Sequence, residues 1–226
     1  MELMKPKAIL FDWDNTLADT WPIIHQALHD TFVQWEMEPW SLETVKERVA
    51  KSMREAFPSL FGKDWEVAGK AYQDHYRKYQ LDWLKPLPAA EALLQALQPA
   101  DVFVGIVSNK RGENLRKELK HLGWERYFSS VVGSEDAPRD KPYADPVQLA
   151  LKDSSFVMDR TVWFVGDSII DLQCAEDNGM TGILYGDVEV HSGEGTGGRY
   201  RDFSYDVHVR DHHALVSLLQ DYAIIR

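Results

Sequence analysis

Short apolar runs flanked by polar or turn residues recur at 8–11, 102–107, 131–133, 161–166, 182–185 and 207–209. Each is the length of a strand and is apolar almost throughout, which reads as a strand buried on both faces. Between most of them lie segments with helical spacing, such as 113–122 and 147–156. Strand and helix in alternation predict a parallel sheet covered by helices on both sides, an α/β fold.

The interval 17–85 breaks the alternation, with several helical patterns and no convincing strand. Thr20 can cap a helix with Pro22 in its first turn and Ile23, Ala27 and Leu28 on one face, while Ser41 and Asp64 can start later helices. The expected organisation is a core of 1–16 and 86–226 carrying a helical insert at 17–85. Lys85-Pro86-Leu87-Pro88 returns the chain to the core, because each proline disfavours helix at the residue before it. Near the other end, 186–198 contains five glycines and few apolar residues and is expected to be a mobile loop.

With 226 residues, 44% of them hydrophobic, the chain can bury a full core and still carry an insert. Its one cysteine, Cys174, cannot form an internal disulfide, and the first residues lack a signal-peptide pattern, so a reducing, cytoplasmic setting is expected. No run of about 18 apolar residues suggests a membrane span. A net charge of -11 argues against nucleic acid as a partner. A small anionic substrate remains open, because a bound cation and one lysine can reverse the local field.

The first predicted strand runs into Asp12-Trp13-Asp14-Asn15-Thr16-Leu17. In open α/β sheets the ligand crevice lies at the carboxyl ends of strands, where these two acidic residues emerge. A solvated acidic turn would look the same in isolation. A calcium loop would need glycine sixth and glutamate twelfth, where Leu17 and Ile23 stand. The second apolar run of this core ends in Ser108-Asn109-Lys110 ahead of a helix, a cradle for phosphate oxygens. Asp140-Lys141-Pro142 precedes a helix that begins near Asp145 or Pro146, and Gly166-Asp167-Ser168-Ile169-Ile170-Asp171 follows a buried strand with two carboxylates four residues apart.

Taken in order, FDWDNTLADT, VSNK, KPYADP and VGDSIIDLQCAEDNG resemble the four signature motifs of the haloacid dehalogenase superfamily, and most of all its phosphoglycolate phosphatase-like branch. The resemblance covers the whole chain, since the helical insert resembles that branch's four-helix cap, and it implies a Rossmann-like parallel-sheet core with an inserted α-helical cap domain at 17–85. It implies a phosphatase acting on a small-molecule phosphate ester, with Asp12 as nucleophile and Asp14 as general acid and base. It also implies Mg2+ held by Asp12, Asp167 and the Asp14 backbone carbonyl, Lys141 balancing charge, Asp171 orienting Lys141 or a water, and Ser108 and Asn109 at the phosphate. Asp14 argues against a dehalogenase, which has no leaving oxygen to protonate. A phosphomutase of the β-phosphoglucomutase type shares these motifs, and a non-catalytic binding module would be expected to have lost one.

Other residues invite a functional reading. Arg54, in a segment resembling the cap loop that faces the active site, could clamp a substrate carboxylate or second phosphate. His25 and His29 have ligand spacing but lack a metalloprotease's glutamate. His212 and His213 are expected at the surface, Cys174 as a small buried apolar residue, and Trp13 with its ring bordering the pocket.

Overall fold

In a computed structural model of the chain, the described residues are 3–49, 51–186, 198–200 and 203–226. The expected glycine-rich loop lies, from 187 to 197, outside them. The chain opens with β1 (Ala8–Phe11), then β2 (Ala18–Asp19), α1 (Trp21–Gln34), α2 (Leu42–Arg48), α3 (Met53–Phe61), α4 (Trp65–Trp83) and β3 (Lys85–Pro86). It continues through α5 (Ala90–Leu97), β4 (Phe103–Arg111), α6 (Gly112–Leu122), β5 (Ser130–Ser134), α7 (Asp145–Leu151), β6 (Val162–Gly166) and α8 (Ile169–Asp177). The last elements are β7 (Thr181–Tyr185), β8 (Gly198–Tyr200), β9 (Phe203–Tyr205), β10 (Val207–Val209) and α9 (His212–Asp221).

Six strands form one parallel sheet in the order β10-β7-β6-β1-β4-β5. Strand side chains alternate between faces, and both faces are dry here. Ile9, Phe11, Trp163 and Val165 join one apolar cluster, while Ala8, Leu10, Val162 and Phe164 join another. This is why the strands read as continuous apolar runs, and each fully buried Ile, Leu or Phe stabilises the sheet by roughly 1.5–3 kcal/mol. Because β1 has β4 on one side and β6 on the other, the order reverses around it, and a crevice opens at the carboxyl ends of these three strands.

Four α-helices stand between β2 and β3, closed at the base by a short antiparallel ladder that the sequence does not announce. Ala18 pairs with Pro86 and Asp19 with Lys85, and the Leu87 amide adds a bond to the Leu17 carbonyl at 3.0 Å. Two residues per strand are too few for a period to register. Ser41 caps α2 as predicted, its Oγ accepting from the Thr44 amide. Thr20 stands at the start of α1 but does not cap it, because its hydroxyl is bonded to Asp14 instead. The helix expected to start near Asp145 or Pro146 starts at Asp145, and it ends at Leu151, short of the helical spacing that runs to 156. Among the described residues no helix is long and apolar enough to cross a membrane.

Candidate active site

Beyond β1 the Asp12 amide still bonds to the Val165 carbonyl at 2.9 Å, so Asp12 extends the strand and its side chain enters the crevice. The chain then turns tightly. The Trp13 carbonyl collects the amides of Thr16, Leu17 and Ala18, and Asn15 takes a left-handed φ of 58°, a conformation asparagine tolerates better than most residues. The turn brings Asp12 and Asp14 to the same cavity and Trp13 to the opposite side. Contrary to the sequence expectation, the Trp13 ring does not border the pocket. It is fully buried, packs edge-on against Trp124, and donates through Nε1 to Glu118 at 2.6 Å.

From β4 come Ser108 and Asn109, at an irregularity in the pairing with β5 between Val107 and Arg111 that releases these residues from the ladder. Ser108 Oγ accepts from the Lys110 amide at 3.3 Å, which leaves the hydroxyl hydrogen to offer to a ligand. Asn109 is tied to the backbone of Lys141, its Nδ2 donating to the carbonyl at 3.1 Å and its Oδ1 accepting from the amide at 2.9 Å. Lys141 is thereby anchored across the crevice from a motif 32 residues away in sequence.

The Lys141 ammonium is 2% exposed, 2.6 Å from Asp171 Oδ1 and 2.9 Å from Asp12 Oδ1. Burial alone would lower its pKa, but Asp12 and Asp171 outweigh that and hold it above the usual lysine value, so it stays charged. Asp171 is fully committed, its other oxygen accepting from the Ser168 amide and hydroxyl at the start of α8. Asp167 is pushed well above the usual carboxylate range, by burial first and then by the charges of Asp171 and Asp12. Asp14 is also raised, by burial opposed by Lys110, with Glu118 and Asp12 adding to the rise.

Carboxylate oxygens of Asp12, Asp167 and Asp171 lie within 4.8 Å of one another, and among the described residues this is the cluster able to hold a metal ion. The donor set suits a hard divalent cation. Asp12 Oδ1 supports the fit: it is buried near the Lys141 charge, yet no donor is aligned on it for a hydrogen bond. With Asp171 spent on Lys141 and Ser168, Asp12 and Asp167 are the carboxylates left for an ion. His25 and His29 bond instead to the Trp40 carbonyl and to Asp30.

The crevice opens into a cavity of about 480 Å³. Its floor includes Asp12, Asp14, Ser108, Lys141 and Asp167, and its upper walls include Trp21, Trp40, Phe57 and Tyr72 of the helical insert. Arg54 is not among the lining residues. Its guanidinium closes on Asp140 with two bonds of 2.5 Å and reaches the Ala137 carbonyl at 3.3 Å, so its fork joins the insert to the core and is not held out to a ligand. His212 departs from expectation too: it is fully buried, with one ring nitrogen 2.9 Å from the Pro88 carbonyl and the other 2.9 Å from the Thr16 carbonyl.

Lys110 and Glu118 were not singled out by the motifs. Lys110 reaches Asp14 Oδ1 at 2.5 Å and Glu118 Oε2 at 2.9 Å. A signal existed on α6, where Leu115, Glu118, Leu119 and Leu122 follow the i, i+3, i+4, i+7 spacing of one inward face, with a carboxylate at an apolar position.

A sequence profile described as haloacid dehalogenase-like hydrolase matches residues 9–185, most of the chain and every element of the site. The chain belongs to this family of hydrolases. It is 30% identical over 184 residues to a provisionally assigned pyrophosphatase PpaX of Caldanaerobacter subterraneus subsp. tengcongensis, covering 80% of this chain and 81% of that one. A phosphoglycolate phosphatase of Neisseria meningitidis is 27% identical over 191 residues, with coverage of 80% and 81%. Among solved structures, a haloacid dehalogenase-like hydrolase from Streptococcus pneumoniae superposes with a TM-score of 0.79 at 19% identity, over 95% of this chain and 99% of that one, a likeness of fold. As a haloacid dehalogenase-like hydrolase, the chain has its Asp-x-Asp pair, its lysine and its second acidic pair at the strand ends where the fold opens.

Proposed function

We propose that this hydrolase is a magnesium-dependent phosphatase that cleaves small-molecule phosphate monoesters through a phosphoryl group carried on Asp12. The observation that carries the reading is the pair of carboxyls off one strand end, Asp12 beside Lys141 at 2.9 Å and Asp14 anchored by Lys110 at 2.5 Å. An oxygen of Asp12 attacks phosphorus as the bond to the leaving oxygen breaks, and Asp14 gives that oxygen its proton. Water then attacks the same phosphorus, Asp14 takes up a proton from it, and the bond to Asp12 breaks to release phosphate and restore the carboxylate. Lys141 balances the charge on Asp12 and the phosphoryl oxygens, and Ser108 donates to one of them. Magnesium, when held by Asp12, Asp167 and the Asp14 main-chain carbonyl, supplies further neutralisation of phosphoryl charge. The raised pKa of Asp14 suits a group that must carry a proton in one step and lose it in the next.

Residues 17–85 act in this reading as a cap domain that encloses the leaving group and excludes bulk water. The two named relatives release different leaving groups, glycolate in one name and phosphate in the other, so the shared chemistry is at the phosphoryl end. The lone cysteine, which has no internal partner for a disulfide, supports a reducing, cytoplasmic setting. The test is a panel of phosphate monoesters assayed for free phosphate with magnesium and with excess chelator, followed by rapid acid quench and peptide mapping. The expected result is magnesium-dependent phosphate release with the added mass on Asp12. Full turnover in chelator, or turnover with Asp12 never modified and Asp12→Asn still active, would sink the reading. Conversion of a sugar phosphate to its isomer without phosphate release would make the enzyme a mutase.

A further inference from the structure

A buried polar network joins the cap to Asp14. Lys110 leaves β4 at its irregular end with its side chain 4% exposed, and its three ammonium donors face three groups. These are Asp14 Oδ1 at 2.5 Å, the Tyr76 hydroxyl at 2.5 Å and Glu118 at 2.9 and 3.1 Å. Glu118, 0% exposed, is itself fixed by Trp13 Nε1 at 2.6 Å, the Tyr76 hydroxyl at 2.8 Å and Gln80 Nε2 at 2.9 Å. Held on that side, the ammonium cannot follow Asp14; Asp14 is oriented by the ammonium.

The orientation has a chemical consequence. Lys110 and the Thr20 hydroxyl, at 2.6 Å, both donate to Oδ1 of Asp14. An oxygen already accepting from an ammonium and a hydroxyl is the poorer place for a proton, so the exchangeable proton falls to Oδ2. Which carboxyl oxygen serves the leaving group is thus set by Lys110 and Thr20, with Lys110 itself anchored by Glu118 on α6.

Two of the residues that build this network come from α4, in the segment read above as the cap. Gln73, Tyr76 and Gln80 lie on one face of that helix and meet Asn114 and Glu118 on one face of α6. Asn114 Nδ2 donates to Gln73 Oε1 at 2.6 Å, and Gln80 Nε2 donates to the Asn114 carbonyl at 3.0 Å. All five side chains are buried, yet the seam is polar. Polar partners can be exchanged for water when surfaces part, so such a seam opens at lower cost than an apolar one of equal area. Parting it withdraws the Tyr76 hydroxyl from Lys110.

We propose that Lys110 is a positioning residue that couples the seating of α4 to the orientation of the Asp14 carboxyl, with Tyr76 as the contact through which the cap is sensed. The proposal rests on the reading of Asp14 as the proton donor to the leaving oxygen. Closure then excludes water and aligns the acid in one movement.

The test is the dependence of kcat/KM on leaving group, measured with aryl phosphates from p-nitrophenyl, whose phenolate leaves without a proton, to p-methoxyphenyl, whose phenolate leaves poorly. Wild type should show a shallow slope and Asp14→Asn a steep one. Lys110→Met should follow Asp14→Asn, losing about 10²-fold at the p-methoxyphenyl end and less than about 5-fold at the p-nitrophenyl end. Tyr76→Phe, which keeps the ring and removes one hydroxyl, should fall between wild type and Lys110→Met, and it decides the matter if Lys110→Met does not fold. A merely structural role would lower all esters in parallel. Parallel losses in Lys110→Met and Tyr76→Phe, beside a steepened Asp14→Asn, would overturn the coupling and leave the phosphatase reading standing. An Asp14→Asn slope equal to wild type would overturn the acid role of Asp14 and this proposal with it.

Discussion

Gly166 ends β6 directly beneath the catalytic cluster, and replacing it with alanine is the smallest change that should reach Lys141. A Cβ built there meets Cβ, Cγ and Oδ2 of Asp171. The overlap is roughly 1 Å inside ordinary carbon contact at ~3.5 Å. The atoms struck are at the root of the Asp171 side chain as well as its tip, so a rotamer change cannot relieve them, and the first turn of α8 must move. Asp171 Oδ1 holds the Lys141 ammonium at 2.6 Å, and that ammonium stands 2.9 Å from Asp12. A displacement near 1 Å passed along this chain should cost about 10²-fold in kcat. Overpacking of this kind destabilises by about 1–3 kcal/mol, which for a chain of this size lowers Tm by roughly 2–12 °C. Gly182, in the neighbouring strand β7, is the control. A Cβ there would lie 3.4 Å from Ala175 Cβ and 3.6 Å from Leu172 Cδ2, ordinary contact, so Gly182→Ala should stay within ~1 kcal/mol of wild type. Phosphate release at saturating p-nitrophenyl phosphate and thermal unfolding of both variants provide the check. Gly166→Ala with activity within about 3-fold of wild type and an unchanged Tm would refute the reasoning, since the Asp171–Lys141–Asp12 chain would then tolerate the shift.

Cys174 is fully buried, its thiol pushed up to about 12 by desolvation, so native protein at pH 8 should not react with a thiol-specific disulfide reagent until it is unfolded. Burial lowers the pKa of His212 against the opposing pull of the Pro88 and Thr16 carbonyls. The unfolded chain therefore protonates first as pH falls through about 6.5, and the stability His212 confers is full above that pH and declines below it. In urea titrations the gap between wild type and His212→Phe should narrow from pH 8 to pH 5; a widening gap would mean that the folded ring is charged. Because burial and two like charges raise Asp167, magnesium binding should release protons and tighten as pH rises. Calorimetry in buffers of different ionisation enthalpy reads the proton count directly, and pH-independent binding without proton release would contradict it.

The sheet was legible because its strands are buried on both faces. Residues 8–11 and 207–209 are placed where the apolar runs put them, and the catalytic candidates Asp12, Ser108, Lys141 and Asp167 meet in one cavity because each follows such a strand or leads into a helix beside it. Less of the side-chain wiring was readable. A lysine at position 110 has the same sequence signature whether it faces solvent or, as here, sits between two carboxylates contributed by distant elements. Arg54 looked outward to a substrate, and nothing local announced that Asp140, 86 residues later, would receive it. By sequence His212 has the look of a surface residue at a helix start, because the carbonyls that bury it belong to the two segments flanking the helical insert. Long-range pairing of this sort is a property of the closed fold and leaves no period in the chain.

An acidic protein that must admit an anion has to solve its own electrostatics at the site. Among the described residues, Asp12, Asp14, Asp167, Asp171 and Glu118 face two buried ammonium groups, those of Lys110 and Lys141. Each lysine is shared between two carboxylates, so the cations hold the acidic groups apart but do not cancel them. Without a further cation the excess is met by raised pKa values, at Asp167 by burial and its acidic neighbours and at Asp14 by burial against Lys110. A protonated Asp167 is a poor ligand and a protonated Asp14 is a ready acid, so the same device has opposite consequences at the two ends of the site. On the reading proposed above, a divalent cation held by Asp12 and Asp167 would remove the first difficulty by displacing the proton there, while Asp14, whose Oδ1 accepts from Lys110 and Thr20, would keep the proton its acid role needs. On the same reading a phosphoryl group would meet a cation, the Lys141 ammonium and the Ser108 hydroxyl, a local field distinct from the overall charge of -11.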